Sequence, residues 1–321
     1  MSANFEVERV YTVEPRGFCA GVDRAIEVVE QALKLFGAPV YVRKEIVHNK
    51  FVVEDLKKKG AIFVEEVSEV PEKSVLIFSA HGISPKVREE AKAKQMRVID
   101  ATCPLVTKVH LEVLRFVKEG YKIVLIGHKG HDEVVGTMGE SLENISLVGS
   151  VAEVNNLSFP QDQKLIYLTQ TTLSVDETKD IVIALKNKFP NIIAPPSEDI
   201  CYATQNRQDA IKELVKVADL VLVVGSKNSS NSIRLVEVAR EKGRQAHLID
   251  GIQDIQEEWF NGVKSVGISS GASAPELLVQ QVLQYFRDKG VVHIGGMQII
   301  KENMFFPLPR DLQKAIAQKN A

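Results

Sequence analysis

Cysteine occurs three times in this chain, and each time at the same kind of junction. Cys19 in Gly-Phe-Cys-Ala-Gly, Cys103 in Ala-Thr-Cys-Pro and Cys201 in Asp-Ile-Cys-Tyr-Ala-Thr each follow a strand-like stretch and precede a helical one. The strand-like stretches are 9–13, 97–99 and 192–200, the last with two prolines inside it. Gaps of 84 and 98 residues are incompatible with a zinc finger, a CxxC pair or a ferredoxin run. A chain that brings these sulfurs together must fold three segments around one point. Three thiolates then leave one position of a tetrahedral metal, or one iron of a cubane cluster, open to substrate. The plainer reading is that they are small buried hydrophobes. It fits less well, because none of the three lies inside an apolar run. A thiolate beside a helix start instead meets unpaired backbone N–H groups and the favourable end of the dipole.

The rest of the composition narrows the function classes. A formal net charge of −2 gives no basic surface for nucleic acid. An odd, low cysteine count speaks against a disulfide scaffold and for a reducing compartment. The polar, acidic N-terminus does not read as a signal peptide, and no apolar run approaches the roughly 20 residues of a membrane span. A cytoplasmic protein that binds neither nucleic acid nor membrane is expected.

Apolar runs at 75–78, 122–126, 164–168, 220–224 and 265–268 alternate with amphipathic stretches at 22–36, 104–119, 175–189, 207–217 and 275–289. This is the pattern of βαβ units carrying parallel sheets. Ser174 with Glu177, and Ser273 with Glu276, have capping-box spacing, while Pro85 and Pro104 suit a first helical turn. Cuts near the cysteines leave pieces large enough for small α/β units. The expected organisation is an α/β lobe over 1–102, a second over 103–200, a third over 201–292, and a C-terminal tail over 293–321 packing on the others.

Ligands of open α/β sheets bind beyond the carboxyl ends of the strands. Here those ends carry Glu45-Ile-Val-His-Asn49, Ser79-Ala-His-Gly82, Gly127-His-Lys-Gly-His-Asp-Glu133, Thr169-Gln-Thr-Thr172, Gly225-Ser-Lys-Asn-Ser-Ser-Asn231 and Ser269-Ser-Gly-Ala-Ser273. Hydroxyls, amides and helix-start N–H groups, joined by protonated imidazoles, make a phosphate or diphosphate site without a lysine cluster. Each stretch alone reads as an ordinary turn or cap; six in succession, holding His48, His81, His128 and His131, point to one anionic ligand. Glu133 is the candidate acid: a desolvated carboxyl there is protonated near neutral pH. Asp132 competes for that role. The zinc-protease HExxH spacing, GxGxxG and the P-loop are all missing.

Taken in order, Arg16-Gly-Phe-Cys-Ala-Gly-Val-Asp-Arg-Ala25, Glu45–Asn49, Ser79–Gly82, Asp100-Ala-Thr-Cys-Pro104, Gly127–Glu133, Gly136-Thr-Met-Gly139, Thr169–Val175, Ile200-Cys-Tyr-Ala-Thr-Gln-Asn-Arg207, Gly225–Asn231 and Gly271-Ala-Ser-Ala-Pro-Glu276 resemble the LytB or IspH family of 4-hydroxy-3-methylbut-2-enyl diphosphate reductases. The likeness runs from about residue 9 to Pro309. It implies a three-lobed α/β fold with one cysteine per lobe around a central 4Fe-4S cluster, ligated by Cys19, Cys103 and Cys201. It further implies that (E)-4-hydroxy-3-methylbut-2-enyl diphosphate is reduced to isopentenyl and dimethylallyl diphosphate, the last step of the non-mevalonate isoprenoid pathway. His48, His81, His131, Ser229, Ser230, Asn231 and Ser273 would hold the diphosphate. Glu133 would give the proton, Thr171 would orient it or the substrate, and ferredoxin or flavodoxin would supply electrons. One departure stands in the acid's loop, where the family commonly has Pro and this chain has Asp132; a second carboxylate there would disfavour ionisation of Glu133. Two other classes compete: a three-cysteine 4Fe-4S dehydratase of quinolinate-synthase type, acting on a carboxylate, and a cluster-free binding module with inert cysteines.

Overall fold

The computed structural model describes residues 5–320. Along the chain, β1 (Arg9–Glu14) leads to α1 (Ala20–Phe36), then β2 (Val40–Arg43), α2 (Lys50–Lys58), β3 (Ala61–Val64), β4 (Val75–Phe78), α3 (Pro85–Ala93) and β5 (Arg97–Asp100). There follow α4 (Pro104–Lys118), β6 (Lys122–Ile126), α5 (Asp132–Gly139), β7 (Ile145–Val148), α6 (Val151–Val154), β8 (Leu165–Thr169) and α7 (Val175–Lys188). The last third holds α8 (Tyr202–Leu214), β9 (Leu220–Val224), α9 (Ser230–Glu241), β10 (Gln245–Ile249), β11 (Ser265–Ser270), α10 (Glu276–Asp288), β12 (His293–Gln298) and α11 (Arg310–Asn320).

The strands form three parallel sheets, ordered β10-β9-β11-β1-β12, β3-β2-β4-β5 and β7-β6-β8. The mixed α/β class that the alternation predicts is therefore the class observed. Parallel sheets carry helices on their faces, so their strands are apolar throughout rather than alternating. β9 shows it best: all five of its residues are buried. Because each sheet is parallel, each sends all of its strand-to-helix loops to one edge.

The chain divides into two compact units. The first comprises residues up to Cys19, His48–Val52 and Tyr202–Met304, and holds the five-stranded sheet. Its core lies on both faces of that sheet, with Phe260 and Phe286 on one side and Ile211, Leu214 and Leu235 on the other. The second comprises Ala20–Val47, Val53–Cys201 and residues from Phe305 on, and holds the other two sheets. The four- and three-stranded sheets fall within 1–102 and 103–200, whereas the five-stranded sheet draws on both ends of the chain. β1, from the N-terminus, pairs with β11 and with β12 of the C-terminal segment.

Local signals fare unevenly. Pro85 and Pro104 take the first helical turn, and the Ser174 hydroxyl caps α7 by accepting from the Glu177 amide at 3.3 Å. Ser273 does not cap α10: Pro275 stands at that cap, and the Ser273 hydroxyl donates to the His48 carbonyl at 2.8 Å. The 192–200 stretch forms no strand, only a bridge between Ile166 and Ile193; its two prolines cannot donate to a ladder.

Candidate active site

Within each unit the cysteines occupy the junctions that the sequence marks. Cys103 is the N-cap residue of α4, and Cys19 and Cys201 directly precede α1 and α8. All three side chains are half-buried. Each cysteine amide is bonded to a loop that carries a residue expected in the site. Cys19 N–H donates to Ala272 O at 3.2 Å, beside Ser273; Cys103 N–H to Ala80 O at 3.0 Å, beside His81; and Cys201 N–H to Thr171 O at 3.0 Å. Gly17, at φ +68, makes the turn before Cys19 in a conformation that side-chain-bearing residues rarely adopt. The positive charge of Arg24 acts on Cys103, and helix N-termini favour thiolate over thiol. Each half-buried thiol beside a helix start is of the kind that iron-sulfur clusters take as a ligand.

In the second unit, Glu133 lies in the first turn of α5, not in a loop, and is only 3% exposed. Thr171 holds both of its oxygens, with the amide donating to Oε1 at 2.6 Å and the hydroxyl to Oε2 at 2.9 Å. Burial pushes the carboxyl up to about 7, the Thr171 bonds pull it down, and the charge of Asp199 pushes it further up. Asp132 is not among the causes of that shift; its charge acts on Lys44. The carboxylate that matters to Glu133 thus comes from a residue 66 positions along the chain, which sequence adjacency does not reveal.

His131 caps the same helix, its Nδ1 accepting the Glu133 amide at 3.2 Å. With Nδ1 turned to the helix amide, Nε2 is the ring nitrogen left for a ligand. His81 meets the ring of His131 edge-on at 6.0 Å between centroids, and its Nδ1 lies 3.3 Å from the Ser79 hydroxyl. Gly82, at φ +82, lets this turn approach α4: a Cβ there would stand 2.9 Å from His110 Nε2. His128, from the same β6 loop, is held through its amide by Gln170 Oε1 at 3.0 Å.

In the first unit, Ser229 caps α9, accepting from the amide and the hydroxyl of Ser232 at 3.3 and 3.0 Å. Ser230 and Asn231 follow in the buried first turn. Asn231 Oδ1 accepts the Ala272 amide at 2.8 Å, which ties the ends of β9 and β11 together. Asn231 Nδ2 and the hydroxyls of Ser269 and Ser270 are buried with no hydrogen-bond partner among the described residues. Ser269 and Ser270 stand beside the expected Ser273, and nothing in their spacing separates them from turn serines. His48 belongs to this unit, its carbonyl taken by Ser273. Buried donors at a helix N-terminus suit an anion.

The family model described as LytB protein matches residues 10–287. The 4-hydroxy-3-methylbut-2-enyl diphosphate reductase of Streptomyces avermitilis is 54% identical over 314 residues, 98% of this chain and 93% of that protein. The enzyme of that name from Glaesserella parasuis is 55% identical over 307 residues, 95% of this chain and 98% of the relative. Among solved structures, the E-1-hydroxy-2-methyl-but-2-enyl-4-diphosphate reductase from Plasmodium falciparum matches with a TM-score of 0.96 at 43% identity, covering 98% of this chain and 100% of that one. None of these matches supports the quinolinate-synthase alternative. Together they establish that this chain belongs to the LytB protein family.

Proposed function

We propose that the chain is the 4-hydroxy-3-methylbut-2-enyl diphosphate reductase of the non-mevalonate isoprenoid pathway, with Cys19, Cys103 and Cys201 as ligands of one 4Fe-4S cluster. Family membership and the names of the relatives support the reaction. The three half-buried thiols at helix starts support the cluster. When bound, the cluster would supply electrons one at a time and, at its open iron, a Lewis acid for the allylic hydroxyl.

The protein's own part begins with Glu133. At about 7 its carboxyl is poised to hold a proton and release it near neutrality. The Thr171 amide fixes Oε1 as the carbonyl oxygen, so the proton resides on Oε2. In the protonated acid the direction of the 2.9 Å bond from the Thr171 hydroxyl to Oε2 reverses: the acid donates to the hydroxyl, and Thr171 O–H donates onward to the departing hydroxyl, which leaves as water. Two electrons from the external donor and a second proton from solvent, taken up at either end of the allylic system, then give isopentenyl or dimethylallyl diphosphate.

His48, His81, His131, Ser229, Ser230, Asn231 and Ser273 hold the diphosphate in this reading. The unpartnered Asn231 Nδ2 supports it, since such a donor is costly to bury unless a ligand meets it. Ser273 must release the His48 carbonyl, or accept a hydrogen bond from a protonated phosphate oxygen, to take part. The electron donor is of ferredoxin or flavodoxin type, and the compartment is the cytoplasm, which the low, odd cysteine count supports. Among the described residues no helix is long and apolar enough to cross a membrane.

The observation that carries the mechanism is the buried, doubly bonded Glu133. Anaerobic, iron-loaded protein is expected to oxidise a reduced viologen dye only when the hydroxymethylbutenyl diphosphate is added, and Glu133→Gln is expected to bind that substrate without turnover. Absence of substrate-dependent oxidation by the wild type overturns the assignment.

A further inference from the structure

Each helix that follows a cysteine carries a basic residue about one and a half turns in: Arg24, Lys108 and Arg207, five, five and six residues after Cys19, Cys103 and Cys201. Among the described residues, none of them bonds the loop of its own cysteine. Arg24 Nη1 donates to Ala101 O and Thr102 O at 3.1 and 3.0 Å, the residues just before Cys103, and its Nε to Pro307 O at 2.8 Å. Lys108 Nζ donates to Ser197 O and Glu198 O at 2.9 and 3.0 Å and pairs with Asp199 Oδ1 at 2.8 Å, just before Cys201. Arg207 donates to Gly17 O through Nε and Nη2 at 3.2 and 2.7 Å and to Phe18 O through Nη2 at 3.3 Å, just before Cys19. The cycle closes: the first helix grips the second cysteine's loop, the second grips the third's, and the third grips the first's.

The grips are not incidental surface contacts. Arg207 is fully buried and Arg24 is 9% exposed, and a buried guanidinium is tolerated only where acceptors fill its donors. Arg207 takes Ala203 O at 3.1 Å and Glu302 at 3.0 and 3.3 Å besides the two carbonyls of the Cys19 loop. Asp199, with a side chain that is fully buried, also accepts the Thr169 amide through Oδ2 at 2.9 Å. Lys108 therefore fastens the end of the proline-containing stretch before Cys201, which pairs with β8 only through the single bridge at Ile193. Thiolate loops so fastened keep their geometry before any ligand arrives, and the cations offset negative charge gathered near them.

We propose that Arg24, Lys108 and Arg207 are positioning residues, each fixing the loop of the next cysteine in the chain's cyclic order so that the three thiolates are preorganised for one metal group. The proposal rests on the cluster reading above, but its first readout does not depend on that reading. Hydrogen exchange on the anaerobically prepared protein is expected to rise locally in each variant: near 99–103 in Arg24→Gln, near 196–201 in Lys108→Gln, and near 15–19 in Arg207→Gln. Release of iron to a chelator is expected to quicken about tenfold in each, the size that residues supporting metal ligands ordinarily show. Arg240→Gln is the control. Arg240 also clamps a carbonyl, that of Ala246 at 3.1 and 2.7 Å, but no cysteine loop, and its loss should leave iron release unchanged. Arg24→Lys and Lys108→Arg, which keep the charge, serve if a Gln variant fails to fold; each should show a smaller rise at the same loop. Exchange that rises everywhere or nowhere, or iron release that responds equally to Arg240→Gln, overturns the proposal. A wild type that retains no iron while the local exchange pattern holds would instead strike the cluster reading and leave the clamps standing.

Discussion

Glu133 and Asn231 are buried almost equally, yet their surroundings are opposite. Glu133 lies among filled hydrogen bonds, with both oxygens taken by Thr171 and its own amide taken by His131. At the ends of β9 and β11, Asn231 Nδ2 and the hydroxyls of Ser269 and Ser270 meet no partner among the described residues. A buried donor left unpaired costs about 1–3 kcal/mol. A fold that fills the hydrogen bonds of its acid's own oxygens and leaves donors vacant at the ends of β9 and β11 has separated two tasks. One corner sets a proton affinity; the other waits for a ligand to complete it.

The largest effect that bears on this contrast is Glu133→Gln. An acid with no substitute should lose about 10²–10⁴-fold in kcat, with the substrate Kd near the wild-type value. A rate close to wild type would move the acid elsewhere, with Asp132 next to be tested. Asn231→Ala should act the other way round: Kd rises about tenfold or more, as expected when a hydrogen bond to a charged group is lost, while kcat changes little. Asn231→Asp sharpens the point. It keeps the acceptor for Ala272 and replaces the waiting donor with an anion, so Kd should rise further than in the alanine variant. Equal Kd values for the wild type and both variants would remove Asn231 from the ligand site.

The pH dependence follows from the sign of the Glu133 shift. Burial holds its value at about 7, above the ordinary carboxylate range, so the acid is present below about 7 and lost above it. With substrate saturating, kcat should fall as pH rises through that value. Thr171→Val removes a donor that favours the carboxylate, so the fall should move to higher pH. The stability that Glu133 contributes is likewise full below the unfolded carboxyl value and lost as pH rises through about 7. A kcat profile that is flat across neutrality would contradict the assignment. The smallest effect is Ser270→Ala. Deleting a buried hydroxyl without a partner should stabilise the ligand-free protein by up to about 1 kcal/mol, measured by thermal unfolding, whereas the same change in a satisfied group would destabilise it.

The sequence disclosed these regions to different depths. The cysteine junctions were legible because an apolar run passing into an amphipathic one is a local pattern. The Ser174 cap was legible for the same reason. Ser273 has the same spacing to Glu276, but its hydroxyl is claimed by His48, 225 residues away, and Pro275 takes the cap. The 192–200 stretch looked like a strand by composition, and its prolines outweighed that. Asp199 was invisible: what makes it matter is Lys108, 91 residues distant, and the field it places on Glu133. The charge cycle of Arg24, Lys108 and Arg207 is written in the sequence as a repeated offset, but only the acceptor carbonyls give that offset a meaning.

Metal analysis tests the account's central claim most directly: iron, acid-labile sulfide and the visible spectrum of anaerobically purified wild type, set beside Cys103→Ala. The wild type should be brown, with about four iron and four sulfide per chain and a broad absorption that bleaches on reduction, and Cys103→Ala should lose that complement. A colourless wild type without stoichiometric iron, or a Cys103→Ala protein that keeps its full cluster, would contradict it.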